Sequence, residues 1–159
     1  MGQFNAKIMA EFNPPRKWML GRDLSYTTED LSADDIKALK GVGVKITKKT
    51  ITVPTGFVTD LASVPRAMWW AIAPFDVARA AIIHDLLYKT IRQYRWKMQN
   101  LEVEEDKELI KLAKVASDKV FKLGMEDAEP KVARWKIYSS WKAVDLFGNG
   151  SIVPNENNI

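Results

Sequence analysis

ITVPTGFVTDLASVPR (51–66), with AAIIHDLLY (80–88) shortly after it, decides the reading of this chain. Up to residue 54 apolar and polar residues alternate, the period of a half-buried strand. From Val77 onward apolar residues recur every three to four positions, the period of a helix packed on one face. Pro54-Thr55-Gly56 marks a turn, and Ser63 and Pro65 suit a helix cap and first turn. The pattern therefore switches near residue 60, from a strand-rich N-terminal part carrying most of the Gly and Pro to a helical remainder.

In the N-terminal part, AKIMAEF (6–12) reads as a strand stopped by Asn13-Pro14-Pro15, and RKWML (16–20) as a second, turning at Gly21. DLSADDIKALK (30–40) predicts a short helix, with Ser32 as N-cap, Asp34 and Asp35 at its positive end and Gly41 as its stop. VGVKITKKTITVP (42–54) predicts a hairpin around Lys48-Lys49. In the helical part, 76–95, 102–124 and a segment from Pro130 to about Leu146, ending at Gly148, each carry helical periodicity. The expected fold is α+β, with a small antiparallel sheet from 5–58 packed on three C-terminal helices. Residues 1–148 form one domain and 149–159 an irregular tail. The tail is expected to dock Ile152, Val153 or Ile159 in an apolar groove, on this domain or on an adjacent subunit, because so few apolar residues cannot order it alone.

Composition excludes several classes of chemistry. With 159 residues, 47% of them apolar, the chain is long enough to bury a core. There is no Cys, which removes disulfides, thiolate metal sites and cysteine nucleophiles. One histidine, His84, removes any site needing two imidazoles from one chain. No apolar run is long enough to span a membrane, and no signal-peptide pattern opens the chain, so an intracellular location is expected. A net charge of +4 is mild, and nucleic acid is not the expected partner. The basic run Lys89, Arg92, Arg95, Lys97 and the five acids between Glu102 and Glu108 read together as a charge-paired, solvated helix connection.

Four ionisable residues stand out. His84 shares a helical stripe with Val77, Ala80, Ala81, Tyr88 and Ile91, so it points inward, with Asp85 at the edge of that face. Asp106 precedes Leu109, Ile110 and Ala113 at helical spacing, which places it on an apolar stripe too. Buried carboxylates need partners, so Asp60, His84, Asp85 and Asp106 are expected to meet. Such a set suits a divalent cation (Mg²⁺, Mn²⁺ or Zn²⁺ on Asp60, His84 and Asp106), or a histidine general base held between acids. The competing reading is structural: a single inward histidine is usually a hydrogen-bonded core residue, and Asp60 and Asp106 would then be helix caps. A Ser63–His84–Asp triad lacks the Gly-x-Ser-x-Gly elbow. Trp69, Trp70, Trp135 and Trp141 fit a core or a binding groove.

The same motifs resemble a known family. Pro54-x-Gly-Phe57, Thr59-Asp60-x-x-Ser63-x-Pro65, Ala80-x-x-x-His84-Asp85-x-x-Tyr88, the helix at Asp106 and KAVDLFG (142–148) are similar to domain of unknown function 1353, a family of tailed bacteriophages and prophages. The resemblance runs from about residue 45 to 148 and departs at Glu105, where Ala is expected. It points to Thr59, Asp60, Ser63, Pro65, His84, Asp85, Tyr88 and Asp106, without supplying a reaction. That phage origin, with the absence of a multi-residue catalytic signature, gives the first expectation: a virion-associated structural or assembly protein, at the tail or neck, present in the host cytoplasm during infection and in the virion. Its partners would be other phage proteins or further copies of itself. A metal-dependent hydrolase built on Asp60, His84, Asp85 and Asp106 is the alternative, and a small protein binding host factors is the third.

Overall fold

In the computed structural model the described residues are 1–14, 17–59 and 77–159. The N-terminal part forms β1 (Gln3–Phe4), β2 (Ala10–Asn13), β3 (Lys17–Leu20), β4 (Leu24–Thr27), α1 (Ala33–Gly41), β5 (Ile46–Thr47), β6 (Thr50–Val53) and β7 (Val58–Thr59). Then come α2 (Ala78–Asn100), α3 (Lys107–Glu126) and α4 (Arg134–Ser151). The fold is α+β. The strands form two antiparallel sheets, β1-β4-β6-β5 and β2-β3-β7.

Local chemistry explains the elements. Ser32 accepts a hydrogen bond from the Asp35 N–H, and Asp35 accepts one from the Ser32 N–H, a reciprocal capping box that starts α1. The stop differs from the sequence reading. Gly41 is still helical, and Gly43, at φ +103°, makes the left-handed reversal; the Val44 N–H closes on Leu39 O and the Gly43 N–H on Lys40 O. The β5–β6 hairpin turns on Lys48 and Lys49, both at positive φ (48° and 58°), the twist a two-residue loop requires even without Asn-Gly.

The core lies where α2 meets β4 and β6 and where α3 packs against α1, α2 and α4. Tyr26, Leu24, Ile51 and Val53 from the larger sheet meet Ile82, Ile83, Leu87 and Ile91 from α2 and Phe121 and Met125 from α3. Tyr26 is fully buried and its hydroxyl donates to Asp127 Oδ2 at 2.6 Å; the Gly2 N–H donates to the same oxygen at 2.7 Å. These bonds tie the N-terminal strands to the end of α3.

The helices shift relative to their sequence boundaries. The last begins at Arg134 rather than Pro130 and runs through Gly148 to Ser151, so the segment 149–159 opens as helix. Its apolar anchor is Ile152, 4% exposed, while Val153 and Ile159 remain more accessible. Arg92 donates to Ser151 O and Asn158 O, and Arg95 to Ile152 O. The tail is therefore strapped to α2 of its own chain. No helix among the described residues is long and apolar enough to cross a membrane.

Candidate functional site

His84 enters the core from the middle of α2, as its stripe implies, and is 4% exposed. Its partner is Asp118 on α3. Nε2 of His84 lies 2.9 Å from Asp118 Oδ1, and the Tyr88 hydroxyl donates to the same oxygen at 2.7 Å. An ionised carboxylate only accepts, so Nε2 carries the proton of this bond. Lys114, one turn before Asp118, places Nζ 2.9 Å from Oδ2. It also donates to Val144 O (3.1 Å) and Asp145 O (2.8 Å) on α4. Oδ2 makes no well-aligned hydrogen bond, so its compensation is the ion pair with Lys114. His84 stacks obliquely between Tyr88 and Phe121, with ring centroids 4.0 and 4.9 Å away.

All four polar residues are at most 5% exposed. Burial alone would raise the Asp118 carboxyl. The hydrogen bond and charge of His84, together with Lys114 and Tyr88, outweigh it and hold the carboxyl below its ordinary value. Burial, reinforced by Asp118, pushes the Tyr88 phenol upward, so it stays a neutral donor. The result is a charged knot joining three helices.

Gly148 completes this knot. A Cβ there would lie 2.2 Å from the Tyr88 hydroxyl oxygen and 3.2 Å from Lys114 Cε, so only glycine lets α4 close over the cluster.

Asp106 does not belong to this cluster. It is the N-cap of α3, exposed, accepting from the Leu109 N–H at 2.9 Å. The stripe argument failed because α3 begins at Lys107: a cap residue has extended backbone geometry and does not project along the helical face. Asp118 and Lys114 were missed. Their signal lay in the run Ile110, Ala113, Ser117, Phe121, Gly124, beside which both must be buried.

Asp85, half-buried, points away from His84 and accepts a hydrogen bond from the buried Thr59 hydroxyl at the end of β7. Both line a cleft of about 410 Å³ whose other walls include Lys17, Lys89, Arg92 and Asn158. Asp60, Ser63, Pro65, Trp69 and Trp70 lie outside the described residues. Among the described residues no three His, Asp or Glu side chains are placed to hold a metal ion.

His84 and Tyr88 of α2, Lys114 and Asp118 of α3 and Gly148 of α4 are thus one spatial unit. A family model described as "Protein of unknown function (DUF1353)" matches residues 36–144, more than half of the chain. The chain belongs to that DUF1353 family. No curated protein and no solved structure matches it. The match runs from within α1 to within α4, and takes in the whole His84–Tyr88–Lys114–Asp118 cluster. The stretch His84-Asp85-x-x-Tyr88 therefore splits by direction: His84 and Tyr88 look into the helix packing, and Asp85 looks to the cleft.

Proposed function

We propose that this chain is a bacteriophage-encoded, virion-associated structural or assembly protein of the tail or neck. The observation that carries the reading is the outer face of α4. Trp135, Tyr138 and Leu146 recur on it at helical spacing and are 55%, 61% and 59% exposed, with Phe147 beside them at 67%. A helix face this apolar is covered by another protein when it works. The buried ionisable residues support the same reading, because His84, Asp118 and Lys114 are consumed in holding α2, α3 and α4 together. The resemblance to proteins of tailed phages and prophages supplies the setting, with host cytoplasm as the place of synthesis. The test is to interrupt the gene in the phage or prophage that carries it and image the lysate. Incomplete particles, rescued by the wild-type chain but not by Tyr138→Glu/Leu146→Glu, are expected; intact particles in normal number would refute the proposal.

The second reading is a hydrolase: Asp85 and Thr59 line a polar cleft, in which Asp85 is the one side-chain carboxylate among the described residues beside Lys17, Lys89 and Arg92. A divalent cation there would activate water, and Asp85 would be a ligand or proton acceptor. Calorimetric titration with Mg²⁺, Mn²⁺ and Zn²⁺, on wild type and Asp85→Asn, tests it. Heat that disappears in the variant supports a site, and silence with all three metals removes it.

A further inference from the structure

Two surfaces at opposite ends of α3 are complementary in charge and in character. At one end, the loop joining α2 to α3 exposes Leu101 (57%) and Val103 (53%) among Glu102, Glu104 and Glu108. These three acids have no ion pair among the described residues. Glu105 is already paired with Arg95 at 3.0 Å, Asp106 is the cap, and Lys107 is the only cation of the run. Glu102 sits at φ +53°, in the left-handed position that closes α2, with its N–H on Gln99 O and that of Val103 on Met98 O. Glycine is the ordinary occupant of that position. Here a glutamate is held there, at a local energetic cost, with its side chain exposed.

At the other end, a cleft of about 620 Å³ lies between the last turns of α3, residues 131–134 and the first turn of α4. Lys122, Lys131 and Arg134 face one acid, Glu126, around an apolar floor of Val132, Ile137 and Tyr138. Lys122 is 3.9 Å from Glu126 and lies over the Trp141 ring, and Lys131 donates to the Glu126 carbonyl. Arg134 is exposed and has no acidic partner among the described residues. Tyr138, 61% exposed, forms the outer part of that floor.

We propose that the occupant of this cleft is a second copy of the chain, which inserts its 101–108 loop. Leu101 and Val103 meet the Val132–Ile137–Tyr138 floor, and Glu102, Glu104 and Glu108 meet Lys122, Lys131 and Arg134. The inference rests on the assembly reading and names a partner for the α4 face. With 20 residues, α3 separates the two surfaces by about 30 Å. One loop can therefore fill one neighbour's cleft while its own cleft receives another, a head-to-tail contact that propagates into a ring or filament.

The test is sedimentation velocity of the full chain over a range of concentration and salt, with two charge-reversed variants: Glu102→Lys/Glu104→Lys and Lys131→Glu/Arg134→Glu. All four positions are exposed, and circular dichroism confirms that each variant folds. The wild type is expected to self-associate, about tenfold or more weakly at high salt than at low. Each variant alone is expected to be monomeric, and an equimolar mixture to associate again, because each offers the other a matching surface. A wild type that stays monomeric, or an oligomer indifferent to both reversals, overturns the proposal. A protein found in particles but monomeric in solution would overturn this inference and leave the assembly reading intact. Self-association in a protein absent from particles would do the opposite.

Discussion

Nε2 of His84 and Oδ1 of Asp118 meet at 2.9 Å in the core, although the two residues belong to different helices and are 5% and 3% exposed at their side chains. Lys114 shares the same carboxylate and anchors it to α4. Removing one member leaves the others buried without compensation. Asp118→Ala should therefore cost about 3–5 kcal/mol. Replacing the ion pair as a whole, by Lys114→Met with Asp118→Leu, should cost much less than the sum of the two single changes. Urea melts of the three variants check this, and additivity would count against the coupling.

The same carboxylate makes a prediction in acid. Its pKa is lower in the folded chain than in the unfolded one. Such a group contributes its full stabilisation above the unfolded value, about 3.9. That contribution is lost as pH falls through the folded value. Stability of the wild type should thus decline below about pH 4 more steeply than that of Asp118→Asn, which has no carboxylate to protonate there. Parallel slopes in melts across that range would show that Asp118 is not depressed.

Gly148→Ala places a methyl where the Tyr88 hydroxyl already lies. A loss of about 1–3 kcal/mol is expected. Tyr88→Phe removes the obstructing oxygen, so the double variant should recover part of that loss despite losing the hydrogen bond to Asp118. Thermal melts of the two singles and the double decide; a double variant at or below the sum would place the strain elsewhere.

Glu102→Gly relieves a left-handed backbone that an L side chain disfavours. The folded monomer should gain about 1 kcal/mol. The change also removes one of the acids offered to a neighbouring copy, so self-association should weaken while the melting temperature rises. Opposite signs for the two effects are the expected signature. A variant that is both less stable and equally associated would contradict it.

Much of the fold is legible in the sequence because it rests on local periodicity. Ser32 and Asp35 announce α1, Lys48-Lys49 sits between two alternating arms, and the apolar stripe of α2 turns His84 inward. What was not legible depends on pairing at a distance. The two-residue strands β1 and β7 are too short to show a period and exist because β4 and β3 hydrogen-bond to them. The start of α3 decides only Asp106, which caps the helix instead of lying on its packed face; Asp118 is on the Ile110–Ala113–Ser117–Phe121 side whatever the start, and its pairing with His84 depends on how α3 packs against α2. Gly148 reads in sequence as a helix stop, yet it lies inside α4, and its reason is the hydroxyl of a tyrosine on another helix.

The most direct measurement of the proposed assembly role is the protein content of phage particles purified from a lysate of cells expressing this gene, quantified by peptide mass spectrometry. A virion-associated assembly protein should be present in a fixed ratio to the other structural proteins, and should be lost from particles when Tyr138 and Leu146 are replaced by Glu. Its absence from purified particles, with abundant folded protein left in the lysate, would contradict the account.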